Sequence, residues 1–144
     1  MARRTSQFTR SATPLAEIGW AVVPANGKRP ATPNGLNDAT TDVDQISRWG
    51  RANPDYSCAA LAGKDSFLAL DIDGSEGRAA LIDLQERHEE LPLTVQSSTG
   101  GGGLHFYFKP ANLPNSNGRV GAGIEVKAKR ALVTVPRSPG ALGD

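Results

Sequence analysis

With 144 residues, 38% of them apolar, the chain has the size of one domain around one core and is too short for two. Its longest apolar runs span a few residues, far from the roughly 20 that a membrane-crossing helix needs; the basic start "MARRTSQFTR" leads to Glu17 rather than into a hydrophobic region, so no signal peptide is expected there, and a cytoplasmic location is the expectation. A single cysteine, Cys58, excludes an intramolecular disulfide and a cysteine-based zinc knuckle, and a net charge of +1 leaves no global footprint for nucleic acid.

In chain order, residues 1 to 11 are polar and basic and are expected to be flexible. Ala12, Leu15, Ala16 and Gly19 fit a short helix, and "WAVVPA" reads as a strand that Pro24 ends. The segment "NGKRPATPNGLNDATT" is a loop by its Gly, Pro and Asn content. Thr41 is placed to cap a helix with Asp44 in the capping-box position, Ile46 and Trp49 form its apolar stripe, and Gly50 and Pro54 end it. "SCAALAG" and "FLALDID" read as neighbouring strands, with Cys58 packed in the first as an inert thiol.

Ser75 is a plausible cap for a helix over residues 76 to 89, with Ala80, Leu81 and Leu84 inward and His88 near a C-terminus whose dipole suits it. "TVQSST" and "LHFYF" are two strands around Gly100 to Gly103, and "GIEVKA" with "ALVTVP" reads as a final hairpin. The pattern is α+β, richer in strands in its second half, with no internal repeat.

Chemistry concentrates on three of these strands. Strand alternation puts Asp71 and Asp73 on one face, about 6.6 Å apart between Cα atoms at about 3.3 Å per residue. Two like charges so placed suggest a shared divalent cation, although a solvated strand end with Asp73 opening a turn explains them locally as well. The same alternation groups His105 with Tyr107, opposite Leu104, Phe106 and Phe108, and Glu125 with Lys127, opposite Ile124 and Val126. If the three polar faces line one sheet, two aspartates and a glutamate offer hard oxygen donors for magnesium or manganese, the set used in two-metal phosphoryl and nucleotidyl transfer.

The glycines before His105 serve equally as a hairpin turn or as backbone able to approach a phosphate. Charge placement points the same way. From Asp38 to Glu90 twelve acids stand against five bases, whereas from Lys109 to Arg137 six bases (Lys109, Arg119, Lys127, Lys129, Arg130, Arg137) stand against Glu125 alone, making the second segment a candidate surface for phosphates.

The ordered set "GWAVVPANGKRP", "ATTDVDQISRW", "LALDID", "STGGGGLHFYF", "GIEVKAKRALVTVP" and "PRSPG" resembles the N-terminal domain of bifunctional DNA primase–polymerases. That family is a branch of the archaeo-eukaryotic primase superfamily found in plasmids, phages and integrated elements. The resemblance runs from about Ile18 to Gly140. It implies a primase-like catalytic core over residues 12–144, with a mixed or antiparallel sheet flanked by helices, and a DNA primase/polymerase that joins nucleotides on a template with two magnesium or manganese ions.

By position, the resemblance makes Asp71, Asp73 and Glu125 metal ligands. It makes His105 a contact to the phosphates of the incoming nucleotide, with Gly101, Gly102, Gly103 and Lys127 beside it. From the charge of the basic segment rather than from the resemblance, Lys109, Arg119, Lys129, Arg130 and Arg137 are expected to contact DNA phosphates. Partners would be a single-stranded DNA template with primer, nucleoside triphosphates and a replicative helicase encoded separately or on the missing C-terminal part, with no membrane. Glu125 stands where the family usually carries aspartate, and Lys127 where it tends to carry arginine, which keeps the charge but loses the bidentate fork for phosphate. The family usually continues beyond "PRSPG", so the C-terminal part of the family domain is expected to be missing at Asp144.

Two other readings compete. A haloacid-dehalogenase-type phosphatase also ends a strand with Asp-x-Asp-Gly, but needs a second acidic pair at a downstream distance where none stands. A catalytically inactive nucleic-acid-binding remnant of the primase fold would keep the architecture without the chemistry. An EF-hand fails outright, with Glu76 at the position that requires glycine and Ile82 at the one that requires glutamate.

Overall fold

Ser6 starts the first helix by accepting the Thr9 N–H at 3.0 Å, the side-chain cap that an uncovered helix start needs. In this computed structural model, which describes residues 5–88, 95–98 and 103–135, α1 (Gln7–Glu17) is followed by β1 (Val22–Asn26), β2 (Arg29–Pro30) and a 3-10 turn (Gly35–Asp38). Then come α2 (Val43–Ala52), β3 (Ser57–Ala62), β4 (Leu68–Ile72) and α3 (Gly74–Arg87). The strands β5 (Val95–Ser98), β6 (Leu104–Phe108), β7 (Ser116–Asn117), β8 (Ile124–Lys127) and β9 (Ala131–Thr134) complete the α+β order. The described residues form two compact units, one built from the chain up to Leu61 and again from Leu132, the other from Ala62 to Ala131.

The first unit carries a sheet of order β2-β1-β3-β9. Residues 7 to 11, read as flexible in the sequence, are helical because Phe8 is fully buried and meets Trp49 edge-on at 6.3 Å. Pro24 does not end β1 but lies within it: its carbonyl accepts from Ala31 N–H at 2.8 Å, and the missing N–H falls on that same side, so no bond to β3 is lost. Asp42, not Thr41, caps α2, accepting from Asp44 N–H at 3.0 Å. Gly50 is likewise no stop signal. It is buried inside α2, where a Cβ would run into the hydroxyls of Ser6 and Thr9, so it lets α1 and α2 approach closely. Cys58 is buried, which pushes its thiol up to about 12 and leaves it un-ionised and inert at neutral pH.

The second unit carries the antiparallel sheet β5-β6-β4-β8-β7 with β4 at its centre. Two strand pairings read from the sequence are corrected here. β3 is not the ladder neighbour of β4, whose edges are taken by β6 and β8, and β8 forms no hairpin with β9, because β4 and β7 occupy both its edges; β9 joins β3 instead.

The helix cap read at Ser75 falls two residues earlier, at Asp73, whose side chain makes no capping hydrogen bond. Asp73 N–H donates to Gly123 O at 2.7 Å, and α3 turns away at once through Gly74 at φ +62, a conformation glycine accepts without strain. Gly77, the buried residue of α3, passes against Gly123, so that an added Cβ would press on the Gly123 carbonyl. Ala80 and Leu84 follow against Gly121.

Because backbone meets backbone there, Gly77→Ala cannot be absorbed by a side-chain rotation. A loss of about 1–3 kcal/mol, the usual range for overpacking, is expected as a Tm several degrees lower; an unchanged Tm would mean that α3 moves aside at no cost.

Candidate active site

In an antiparallel ladder, residues directly opposite each other share a face. Asp71 is opposite His105 on one side and Glu125 on the other, and His105 is opposite Ser97 while Glu125 is opposite Asn117. One row therefore crosses all five strands as Ser97, His105, Asp71, Glu125 and Asn117. Two residues along, on the same face, Ala69 lies between Tyr107 and Lys127. Asp73 keeps extended backbone at φ −100, ψ 110, and its bond to Gly123 continues the ladder, so alternation returns it to the face of Asp71.

Burial is graded along the row. His105 and Ser97 are 6% and 3% exposed, Asp71, Glu125 and Lys127 are half-buried, and Asp73 is open to solvent. This differs from the expectation for β6, whose apolar residues Leu104, Phe106 and Phe108 are only half-buried while His105 and Tyr107 are buried. Phe67, 1% exposed, explains it, since it packs edge-on against the Tyr107 ring at 5.6 Å on the polar face. Similarly Ile72 is fully buried, whereas Leu70 stays half-open beside Leu68, Val126 and Ala128.

A hydrogen-bonded chain runs through this face. Ser97 Oγ and Tyr107 OH are 3.0 Å apart, Tyr107 OH and His105 Nδ1 3.4 Å, and His105 Nε2 and Asp71 Oδ1 3.4 Å. Burial pushes the Tyr107 phenol above its ordinary value, the nearby Asp71 charge adds to that, and the bond with Ser97 partly offsets both, so the hydroxyl keeps its proton at neutral pH.

For a hard divalent cation the face holds suitable donors: carboxylates at Asp71, Asp73 and Glu125, with the Asp73 side chain exposed and making no capping hydrogen bond. As they stand, the described residues gather no three His, Cys, Asp or Glu side chains closely enough to hold an ion. The donor set fits magnesium or manganese in kind, with the cross-strand pair Asp71 and Glu125 as its nucleus and Asp73 beside it.

Other residues singled out in the sequence are dispersed. Gly103 is buried just before β6, while Gly101, Gly102 and Arg137 lie outside the described residues. Lys109, Arg119, Lys129 and Arg130 are exposed in the loops around β7 and β8, where Asn115 ties the chain by accepting from Ala128 and Lys129 N–H and donating to Lys129 O, at 2.7 to 2.8 Å. His88 is exposed at the end of α3. Ser97 was not singled out by sequence reasoning; pairing "TVQSST" with "LHFYF" across residues 99–103 would have found it, since that hairpin sets it opposite His105.

The fold is thus an α+β domain that lines one sheet face with carboxylates, an imidazole and a lysine. The chain matches the family described as bifunctional DNA primase/polymerase, N-terminal (Prim-Pol) over residues 12–143, nearly its whole length, and it belongs to that family. Among curated proteins no match was found. Among the described residues no helix is long and apolar enough to cross a membrane.

Asp71 and Glu125 are like charges directly across a ladder, an arrangement that costs roughly 0.2–1 kcal/mol. Glu125→Gln is therefore expected to raise the Tm in buffer freed of divalent ions by about one to a few degrees; a lower Tm would show that Glu125 makes a stabilising contact that outweighs the repulsion.

Proposed function

We propose that this chain is a template-dependent nucleotidyltransferase, a DNA primase/polymerase acting in the replication of a plasmid, phage or integrated element. The observation that carries the reading is the row in which Asp71 stands between His105 and Glu125, in a chain that belongs to the Prim-Pol family.

Asp71, Asp73 and Glu125 are the residues that would hold two magnesium or manganese ions. Bound there, such ions supply charge stabilisation for the attacking and leaving oxygens of an in-line displacement. The chain's own groups do the rest. His105, buried and fixed in direction, offers a ring N–H to a phosphate oxygen, and Lys127 adds a positive charge on the same face two residues from Glu125. Gly103, with the neighbouring Gly101 and Gly102, lets backbone N–H groups approach the same phosphates. The template strand and primer would be held through their phosphates by Lys109, Arg119, Lys129, Arg130 and Arg137, and a replicative helicase would open the duplex.

Incorporation of labelled nucleotide that requires both template and manganese tests the reading, and Asp71→Asn or Asp73→Asn should abolish it while leaving the Tm at or above that of the unaltered protein. Incorporation by either folded variant near the original rate would rule it out. The roles separate further in paired titrations. His105→Ala should weaken nucleotide binding about ten- to a hundredfold, the loss of a charge-assisted hydrogen bond, and leave manganese binding without nucleotide nearly unchanged. Glu125→Gln should weaken manganese first. Loss of metal binding in His105→Ala alone would make the histidine a ligand instead.

If phosphates dominate the DNA contacts, affinity for a single strand should fall steeply with salt and vary little with sequence; affinity that is flat from low to moderate salt would remove the basic loops from the interface.

A further inference from the structure

The polarity of the chain through Ser97, Tyr107, His105 and Asp71 follows from its end. An ionised carboxylate only accepts, so Asp71 Oδ1, 3.4 Å from His105 Nε2, requires the proton on Nε2. A neutral imidazole then presents a bare lone pair at Nδ1, which must accept, and the group that faces it at 3.4 Å is the Tyr107 hydroxyl. Having spent its proton, the Tyr107 oxygen accepts in turn from Ser97 Oγ at 3.0 Å. Every member except the terminal carboxylate is at least nine-tenths buried, where water is scarce and an unpaired lone pair is costly.

We infer that Tyr107 is the positioning residue for His105: its hydroxyl, itself held by Ser97, pins Nδ1 so that the one ring N–H is Nε2–H, held on the Asp71 side of the row, where a nucleotide phosphate can share it with the carboxylate. The inference rests on the nucleotide-binding role proposed for His105 above. The tyrosine suits the task because its ring is held independently of the hydroxyl, edge-on against the buried Phe67 at 5.6 Å. The hydroxyl can therefore fix the imidazole without depending on it. Separations of 3.4 Å are at the long end for hydrogen bonds, as is common in a site that tightens around its substrate.

A purely structural tyrosine would direct its hydroxyl proton to Ser97 and leave Nδ1 alone, and the two cases differ in the nitrogen NMR spectrum of the ring. At alkaline pH, where the imidazole is neutral, His105 should show a protonated Nε2 and an Nδ1 signal displaced toward the hydrogen-bonded acceptor position. The only other histidine, His88, is removed from the spectrum by His88→Gln. In Tyr107→Phe, which keeps the ring and its packing, the Nδ1 signal should move to the unbonded position. An Nδ1 signal that does not move overturns the inference, as does an Nδ1 that carries the proton in the unaltered protein. Should Tyr107→Phe fail to fold, the spectrum of the unaltered protein decides alone: a displaced, unprotonated Nδ1 supports the pinning, and an unbonded one contradicts it.

In the incorporation assay Tyr107→Phe should lower kcat/KM for nucleotide about fivefold, the worth of one neutral hydrogen bond, and should cost nothing further in a chain that already carries His105→Ala. Additive losses would mean that Tyr107 acts elsewhere. If the unaltered protein incorporates no nucleotide, the proposed function fails, and the ring spectra still decide whether Tyr107 holds His105.

Discussion

Everything placed on the candidate site's face depends on the pairing register of one strand. β4 lies between β6 and β8, and that register sets Asp71 opposite His105 and Glu125 at once. Because side chains alternate with a period of two, a slip of one residue on either side would send Asp71 to the face of Ile72 and bring Leu70 in its place. Local contacts hold the register at the end of β4. Ile72 and Ile124 are opposite each other and buried, Asp73 N–H is bonded to Gly123 O, and the contact of Gly77 with Gly123 lets α3 begin without pushing the strands apart.

The same register brings unlike costs together. Asp71 and Glu125 repel across one ladder, while His105 and Tyr107 are polar groups buried beside them. The burial is tolerated because the hydroxyls and the imidazole satisfy one another in a single direction that ends on the Asp71 carboxylate. Two carboxylates on a half-open face, next to an exposed N-cap aspartate whose side chain makes no capping hydrogen bond, leave the face suited to positive charge from outside.

Much of this face was legible in the sequence. Alternation in "FLALDID", "LHFYF" and "GIEVKA" groups Asp71 with Asp73, His105 with Tyr107, and Glu125 with Lys127, because the period of a strand is a local property. What alternation does not reveal is which edge a strand takes, since that is decided by distant partners. The three-residue link between β8 and β9 reads as a hairpin, yet both edges of β8 are occupied by β4 and β7. Nor does apolarity alone tell which face is buried: Phe106 and Phe108 are half-open, while Phe67, from another part of the chain, covers Tyr107. Caps were misread by one or two residues, at Asp42 and Asp73, where several Asp, Ser and Thr candidates stand in a row and only the path of the backbone chooses among them. The family itself was recognisable from the order of the motifs, and residues 12–143 match it.

Paramagnetic broadening by manganese at sub-stoichiometric concentration, followed residue by residue in the amide spectrum, tests the central claim most directly. It reads where an ion sits without needing turnover. Broadening centred on Asp71, Asp73, Glu125 and their ladder neighbours, and lost in Asp71→Asn, is the expected result. Broadening centred instead on the acidic stretch around Asp38, Asp42 and Asp44, or unchanged in Asp71→Asn, would contradict the assignment of this sheet face as the metal-binding site.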